Sequence, residues 1–541
     1  MHALPKKILQ PVLMLVAASA TVCLVASGQH SVAADAGVGS EVMPATDRPV
    51  AAVPPVMDAP PLGVALSPLS AEERAQVAHL RSWDGPLRLG FGRSLGASVQ
   101  PLWHATPRGG HAFAWKISSP GAVGLRLAVL ARQLPDEATL WVSAPDTADR
   151  PQTVSGAEVN ASIRRNLDAG NADDAARLFW LPLVVGDVLV LQVELPASVG
   201  PLHGVLDLVR VSHAFSLPFL ESRSAPAEAP DQATDPACTE GWDVPSRATT
   251  LLLYTDPDGG TGACTATLLN DADPETLTPY LASAHHCFHD QVRASSIESL
   301  WFLRAAACGG PLDVYETVSG GADVLYVAKS TDTSLLRLRR PPPTGAVFIG
   351  RRATLPPKGT EVVTIHHPRA GLQQRSVAVV SGYKNCAETD YCGDDAGPDA
   401  VHFLRVDRRV GSTSPGSSGA GLFNQSQQLI GTLLGGTEEG EHGGFDYYGR
   451  LDVPYFNALH RWLGWRAGDW SGAGGAMRKM TLGVPRTPSA RRVESSYIHP
   501  PTKKTQKSTE RVLSARHDGT PISGQSGWRD RVTRPHQDSA T

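Results

Sequence analysis

Short apolar or alternating runs, separated by turn-forming residues, recur through most of the chain. Such runs are typical of β-strands, so the pattern predicts a largely β protein. Between Leu66 and about Leu217 they predict a small antiparallel β domain that contains no cysteine. Its predicted strands are 112–117, 123–130, 139–143, 178–185, 188–195 and 205–212.

A second β region is predicted from about residue 237 to residue 467. The close spacing of its strands favours a β-barrel or sandwich. Its predicted strands are 249–254, 264–269, 280–284, 299–304, 324–327, 334–338, 361–366, 376–381, 400–405 and 429–434. A closing helix is predicted from Val453 to Trp465, where apolar side chains recur at helical spacing.

The segments outside these two regions have different compositions. Residues 1–34 have a charged start and an apolar run that ends in Val-Ala-Ala, which predicts a cleaved secretory signal rather than a membrane anchor. Residues 35–225 are assigned to a linker and a β-rich pro-region. Residues 218–236 form an exposed linker with Arg223 as its single basic residue, a predicted processing site. The basic stretch 468–541 predicts a disordered tail.

The net charge and the number and positions of the cysteines limit which functions fit the sequence. A net charge of −4 gives no general case for nucleic-acid binding. Of the seven cysteines, one lies in the predicted signal and six lie between residues 238 and 392. An even number in an exported region predicts three disulfides, for which six cysteines allow fifteen pairings. We therefore predict a secreted protein.

Three short motifs supply the residue types of a serine hydrolase. Gly416-Ser417-Ser418-Gly419 forms a glycine-bounded turn, preceded by His285-His286-Cys287 and by Asp332. A serine hydroxyl needs a nearby base, and histidine suits that role because its unperturbed pKa is about 6.5. A buried carboxylate would then orient the histidine. The order His, Asp, Ser is that of chymotrypsin-type proteases.

From the residues alone, more than one candidate exists for the base, for the nucleophile and for the carboxylate that orients the base. His285 competes with His286 for the base, and Ser417 competes with Ser418 for the nucleophile. Asp313 and Asp323 lie near Asp332, although the apolar run after Asp332 predicts burial of that carboxylate. We assign His286, Asp332 and Ser418 as the catalytic residues. The backbone N–H groups of Gly416 and Ser418 are the predicted oxyanion hole.

Beyond these motifs, about 230 residues resemble the bacterial secreted lysyl endopeptidases, which are trypsin-like serine proteases. The matching segments are 263–270, 283–287, 331–333, 365–368, 416–419 and 445–450. The resemblance implies an all-β, chymotrypsin-like double β-barrel with a C-terminal helix, preceded here by the small β-rich pro-domain. It also implies that His286 is the base and that Ser418, not Ser417, is the nucleophile.

The same resemblance assigns the specificity pocket. It places Asp446 at the pocket, next to the strand that carries Leu434, Gly435 and Gly436. A buried carboxylate selects a long cationic side chain, because a neutral one leaves its burial uncompensated. The alternative is that Asp446 is a surface turn residue. The family also implies disulfides that pair Cys264 with Cys287 and Cys238 with Cys308, which leaves Cys386 with Cys392.

The sequence departs from the family pattern in two ways, which weaken the prediction of a strict preference for Lys before the scissile bond. Leu434 precedes Gly435 and Gly436 at the place where a well-known member of the family has a histidine. No Lys lies between Lys116 and Lys329, so either self-cleavage in the linker uses Arg223 or another protease must act. We therefore predict a secreted endopeptidase that cuts after a basic residue, with Lys favoured.

Two alternative functions also fit the sequence, one a protease of different specificity and one a protein of a different functional class. The first is a related protease that cuts after Arg or Glu, and the second is a secreted binding protein on an inactive protease scaffold. The expected partners are protein or peptide substrates and the chain's own pro-region. We expect a monomer with no stable membrane anchor, no nucleic-acid partner, no metal and no cofactor. His366 and His367 show no metal-ligand spacing.

Overall fold

The computed structural model describes residues 40–44, 54, 59–81, 86–96, 102–145, 151–203, 205–221, 234–273, 276–386, 392–393, 400–437 and 444–465. All of these lie in one compact unit. The predicted signal peptide, the processing site at Arg223 and the predicted tail lie outside the described residues.

In its described residues, the N-terminal region consists of short strands with three helices inserted between them and a fourth at its end. Its strands are β1 (Glu41–Val42), β2 (Leu62–Ala65), β3 (Arg88–Ser94), β4 (His104–Ala105), β5 (His111–Ser118), β6 (Gly124–Ala131), β7 (Thr139–Ser143), β8 (Gln152–Ser155), β9 (Leu178–Trp180), β10 (Val184–Val185), β11 (Val188–Leu195) and β12 (Leu206–Ala214). Its helices are α1 (Ala71–Arg81), α2 (Gly156–Asp168), α3 (Asp174–Arg177) and α4 (Pro218–Glu221).

This region differs from the predicted antiparallel β domain in its helices, in the parallel pairing of β2 with β5 and in the strand predicted at 178–185. The predicted strand 178–185 is two strands, and Pro182, which has no N–H to donate to a ladder, lies between them. Helix α2 begins at a capping box in which the Ser155 hydroxyl accepts from the Glu158 N–H and the Glu158 carboxylate accepts from the Ser155 N–H. Ser155 followed by Glu158 three residues later is a helix start signal in the sequence, but no helix was predicted here.

The N-terminal region and the region after it share one sheet. Strand β3 pairs with β12 on one side and with β14 (Thr261–Leu269) on the other, with Gly90 opposite Thr261 and Arg88 opposite Gly262. The resulting 12-stranded sheet runs from one region into the other without interruption. The predicted β-rich domain is therefore joined to its neighbour by backbone hydrogen bonds.

The region from residue 234 to residue 465 contains two β substructures and short helices. Its strands are β13 (Thr249–Thr255), β14, β15 (Tyr280–Ser283), β16 (Glu298–Trp301), β17 (Glu316–Val318), β18 (Ala322–Ala328), β19 (Thr333–Leu338), β20 (Val347–Phe348), β21 (Glu361–His366), β22 (Gln374–Lys384), β23 (Phe403–Val410), β24 (Gly421–Phe423), β25 (Leu429–Gly436) and β26 (Phe445–Arg450). Its helices are α5 (Asp243–Ala248), α6 (Gln291–Ser295), α7 (Asp452–Pro454) and α8 (His460–Leu463), with a π-helical turn at Tyr455–Leu459 and 3₁₀ turns at Pro236–Cys238, Lys329–Thr331 and Pro368–Ala370.

The two substructures differ in closure. Strands β13 to β19 form a half-barrel within the shared sheet, whereas β21-β22-β23-β26-β25-β24 form a closed barrel. Apolar clusters fill each of them. The consecutive helical segments from Asp452 to Leu463 pack against a third cluster, close to the helix predicted from Val453. The double β-barrel fold expected from the sequence is confirmed.

Among the described residues there are three disulfides, two with the pairings that the resemblance implies and one between the two cysteines that those pairings leave. They join Cys238 to Cys308, Cys264 to Cys287 and Cys386 to Cys392. Within the described part of the chain, no helix has the length and apolar character needed to cross a bilayer.

Candidate active site

His286 and Asp332 form a hydrogen-bonded pair at the surface of the half-barrel. The His286 Nδ1 atom lies 2.7 Å from Asp332 Oδ2, and the His286 backbone N–H donates to Asp332 Oδ1 at 2.9 Å. The carboxylate is buried, whereas the imidazole is 31% exposed. This geometry holds the ring by its Nδ1 edge and leaves Nε2 available to a reacting group.

Asp332 adopts a left-handed conformation, with φ at +44° and ψ at 44°. It follows the 3₁₀ turn Lys329–Thr331 and precedes β19, so the chain reverses at this residue. Among non-glycine residues, Asp and Asn tolerate this region best. The conformation turns the carboxylate back toward His286.

The competing residues lie in other environments. His285 stacks on His289 with ring centroids 5.4 Å apart, and its backbone N–H, rather than its ring, contacts Asp332. Asp323 forms ion pairs with Arg165, Arg337 and Arg339 instead. Asp313 is exposed and accepts the N–H of Val314. The structure thus brings Asp332 and His286 together.

Ser418 lies on a turn held by three backbone contacts. Its carbonyl accepts from the Thr265 N–H at 2.8 Å, the Thr265 hydroxyl donates to the Gly416 carbonyl at 2.9 Å, and the Pro415 carbonyl accepts from the Arg369 N–H at 2.7 Å. The N–H groups of Gly416 and Ser418 donate to no acceptor among the described residues. Gly416 has φ at +101°, a conformation that favours glycine. The turn can therefore present two free donors.

Ser417 is distinguished from Ser418 by its burial. It is fully buried, its hydroxyl lies 2.8 Å from His366 Nδ1, and it accepts from the Ser414 N–H. His366 Nε2 in turn lies 2.9 Å from the Ser376 hydroxyl. Burial lowers the pKa of His366 to about 3, so the ring is neutral and both of its nitrogens are engaged. Ser417 anchors the turn, and Ser418 is the half-buried serine beside it.

The His286 ring and the Ser418 hydroxyl are not hydrogen-bonded in this structure. The turn is nevertheless fixed beside the histidine, because Thr265 adjoins Cys264 and Cys264 is bonded to Cys287. Side chains of His286, Asp332 and Leu434 line one open cleft of about 820 Å³. In unliganded proteases such catalytic contacts are often long and tighten when substrate binds.

Asp446 lies on β26 and is buried, with 1% of its side chain exposed, so it is not a surface turn residue. It already has a cationic partner, because Arg408 Nη1 donates to Asp446 Oδ1 at 2.7 Å and the Arg408 side chain is itself 2% exposed. Thr413 Oγ1 donates to the same oxygen at 2.7 Å. Burial raises the pKa of the Asp446 carboxyl, while Arg408 and Thr413 oppose that shift.

The predicted pocket wall lies at the end of β25. Leu434 faces the cleft that contains His286, whereas Gly436 lies against Asp446. A Cβ at Gly436 would lie 2.2 Å from Asp446 Oδ1, so a side chain there would displace the carboxylate. Gly435 has φ at +159°, at the edge of the left-handed region, and no heavy atom lies within 4 Å of a Cβ placed there.

Sequence reasoning missed two sets of residues at this site. Arg408 was not predicted as a site residue. Leu404, Val406 and Arg408 occupy every second position of β23 and therefore share one face, which indicates an inward-facing charge. Thr265 and His367, which support the Ser418 turn, lie in the segments 263–270 and 365–368, for which no supporting role was predicted. The His367 N–H donates to the Thr265 hydroxyl, and its Nδ1–H donates to the Gly371 carbonyl.

Comparison with known protein families agrees with this arrangement. Residues 229–449 match the model of the lysyl endopeptidase C-terminal domain. Residues 64–215 match that of the lysyl endopeptidase N-terminal domain, so the two matches together span well over half of the chain. The chain belongs to the lysyl endopeptidase family. The resemblance drawn from the motifs is thereby confirmed, and the protein is a serine protease.

A curated member of the lysyl endopeptidase family aligns with most of the chain. A lysyl endopeptidase of Pseudomonas aeruginosa is 29% identical over 447 residues, which cover 78% of this chain and 91% of that protein. The alignment therefore includes both the N-terminal region and the two β substructures.

Solved protease structures match more distantly. The HtrA-type protease AlgW with a tripeptide is 15% identical, with a TM-score of 0.26, and the match covers 41% of this chain and 61% of that one, less than two thirds. The MamO protease domain of Magnetospirillum magneticum is 15% identical, with a TM-score of 0.27, over 40% of this chain and 98% of that one. These scores are too low to add to the argument.

Proposed function

We propose that this serine protease is an endopeptidase in which His286, Asp332 and Ser418 form the catalytic triad. The observation that carries the proposal is the buried Asp332 carboxylate, which accepts both the Nδ1–H and the backbone N–H of His286 beside the Ser418 turn. A carboxylate in this position fixes the ring tautomer that leaves Nε2 unprotonated and able to accept a proton.

The first half of the reaction forms an acyl-enzyme. The Ser418 hydroxyl attacks the scissile carbonyl carbon while His286 Nε2 takes its proton, and the negative charge moves to the carbonyl oxygen. The free N–H groups of Gly416 and Ser418 donate to that oxygen. Collapse of the intermediate breaks the C–N bond, and His286 returns the proton to the leaving amine.

The second half releases the acyl group to water. His286 Nε2 removes a proton from the attacking water, and a second tetrahedral intermediate uses the same two N–H donors. The Ser418 oxygen leaves with the proton held by His286, which restores the starting state. Asp332 stays ionised throughout and stabilises the imidazolium that forms twice in each turnover.

For specificity, we propose a preference for a basic residue before the scissile bond, with Lys favoured. Family membership and the buried Asp446 support this preference. The pairing of Asp446 with Arg408 affects how strong this preference for a basic residue is.

We also propose that the N-terminal region acts as a pro-region of a secreted precursor. The β3–β14 pairing supports a tightly held pro-region, and the three disulfides support an extracellular destination. Contact extends to the Ser418 turn, because a Cβ at Gly416 would lie 3.1 Å from Leu87 Cδ2. A bound pro-region would thus touch the predicted oxyanion hole.

The test is hydrolysis of matched peptide substrates by the secreted, processed protein. The substrates carry Lys, Arg, Glu or Met before the scissile bond, and Ser418→Ala is the control. Cleavage after Lys or Arg that disappears in the control is the expected result. Activity confined to Glu would overturn the basic preference, and no activity from folded, processed protein would favour a binding role on an inactive scaffold.

A further inference from the structure

Arg408 and Asp446 form a buried ion pair at the position where the family resemblance places the specificity pocket. Both side chains are at most 2% exposed, and the guanidinium also donates from Nη2 to the Thr437 carbonyl at 2.6 Å. The Asp446 carboxylate is therefore compensated from within the chain before any substrate arrives.

Two glycines accommodate this pair. A Cβ at Gly444 would lie 1.9 Å from Arg408 Nη2, and one at Gly436 would lie 2.2 Å from Asp446 Oδ1. Neither site tolerates a side chain without displacing a charged group. The volume that these glycines leave free is thus filled by Arg408 and Asp446 themselves.

The sheet register explains why the two side chains meet. Val406 on β23 lies directly opposite Asp446 on β26, and the Arg408 N–H donates to the Gly444 carbonyl. Arg408 is two residues beyond Val406, so it projects from the same face as Asp446 at a diagonal position. The pair is built into the barrel wall.

The pair is also connected to the segments that flank the candidate nucleophile. Thr413, which donates to Asp446, lies in the loop that leads from β23 to Ser418, and Gly436 ends the strand that carries Leu434. Leu434 lines the cleft with His286. A substrate side chain inserted between these segments would meet Asp446 and Arg408 together.

A second cation in this site faces two opposing effects. It is attracted by Asp446, but the guanidinium already neutralises that carboxylate and repels a like charge in a poorly solvated site. Arg408 and Thr413 both donate to Asp446 Oδ1, so a substrate cation that reaches this carboxylate must share it with Arg408 or displace Arg408. A displaced arginine loses a buried partner, which is unfavourable.

We propose that Arg408 is a specificity-determining residue that competes with the basic side chain of the substrate for Asp446. The inference rests on the proposed function, since it presumes cleavage after a basic residue. Arg408 thereby weakens discrimination between a basic and a neutral side chain of similar length.

The experiment compares kcat/KM for two peptides that differ only in Lys or Met before the scissile bond. Arg408→Gln removes the competing charge and keeps an N–H donor near Asp446. We expect the Lys-to-Met ratio to rise about tenfold or more, mainly through a lower KM for the Lys peptide. Adding Asp446→Asn to this variant should bring the ratio back down.

The ratio does not depend on the fraction of folded enzyme, because loss of folded protein lowers both rates equally. Should Arg408→Gln fail to accumulate, Arg408→Lys retains a cation with fewer contacts, and a smaller rise is expected. An unchanged or lower ratio would show that Arg408 serves only the fold. Absence of any hydrolysis in the native protein would instead contradict the proposed function.

Discussion

Arg126 on β6 and Glu298 on β16 form an ion pair of 3.4 Å between the N-terminal region and the half-barrel, and each side chain is only 2% exposed. Arg126 also donates to the Thr255 hydroxyl and to the Ser296 carbonyl, while Glu298 accepts the Leu183 N–H. Burial lowers the pKa of Arg126 and raises that of Glu298, and each charge opposes the shift of the other. Two regions joined in this way stabilise each other.

Loss of Arg126 should therefore destabilise the full-length chain. In Arg126→Met the Glu298 carboxylate stays buried without its cation, which costs about 3–5 kcal/mol of unfolding free energy. Urea unfolding of the full chain in a Ser418→Ala background, which prevents self-cleavage, provides the measurement. The control is Arg132→Met, because the Arg132–Asp207 pair is largely exposed and should contribute about 1 kcal/mol or less. Similar losses in the two variants would contradict a special role for the buried pair.

Asp332 should be essential to turnover rather than to substrate binding. In Asp332→Asn the amide can donate toward Nδ1, which favours the ring tautomer that carries a proton on Nε2. We expect kcat to fall by about 10⁴-fold, with little change in KM. Steady-state kinetics on a Lys peptide measure both constants. Asp313→Asn changes an exposed carboxylate and should leave both unaltered, and comparable losses in the two variants would remove Asp332 from the triad.

The sequence predicts local features of this protein better than distant contacts. Strand β11 follows from alternation and β13 from a continuous apolar run, and the His-Asp-Ser order indicates His286 and Asp332. The pairing of β3 with β14 joins residues that are about 170 positions apart along the chain, and no local pattern encodes it. Arg408 was missed for a related reason, since its partner Asp446 is supplied by a neighbouring strand.

Buried histidines should make stability depend on pH. Burial lowers the pKa of His366 to about 3 and the pKa values of His213 and His367 to about 4, whereas an unfolded histidine titrates near 6.5. Between about pH 6.5 and pH 4, the unfolded chain binds protons that the folded chain does not. The unfolding free energy should thus decrease as the pH is lowered through this interval, by about 1.4 kcal/mol per pH unit for each histidine.

The contribution of one histidine can be isolated by substitution. In His366→Gln the slope of unfolding free energy against pH should be smaller by about 1.4 kcal/mol per pH unit between about pH 6.5 and pH 4. Urea unfolding at several pH values measures this slope. His289→Gln replaces an exposed ring and is the matched control. An equal slope in native protein and His366→Gln would mean that His366 is protonated in the folded state.

Gly449 should influence catalysis although it contacts no substrate. A Cβ at this position on β26 would lie 1.8 Å from the carbonyl oxygen of Thr331, the residue before Asp332. Because the obstacle is backbone, no change of side-chain rotamer relieves it, and Gly449→Ala must push the Asp332 turn away from the closed barrel. A shift of about 1 Å at such a residue can lower the rate by about 10²-fold. We expect a loss of roughly that size in kcat on a Lys peptide, with Gly393→Ala as the control because the nearest heavy atom to a Cβ there lies 3.9 Å away. Unaltered kcat in folded Gly449→Ala would mean that the position of the Asp332 turn does not depend on this contact.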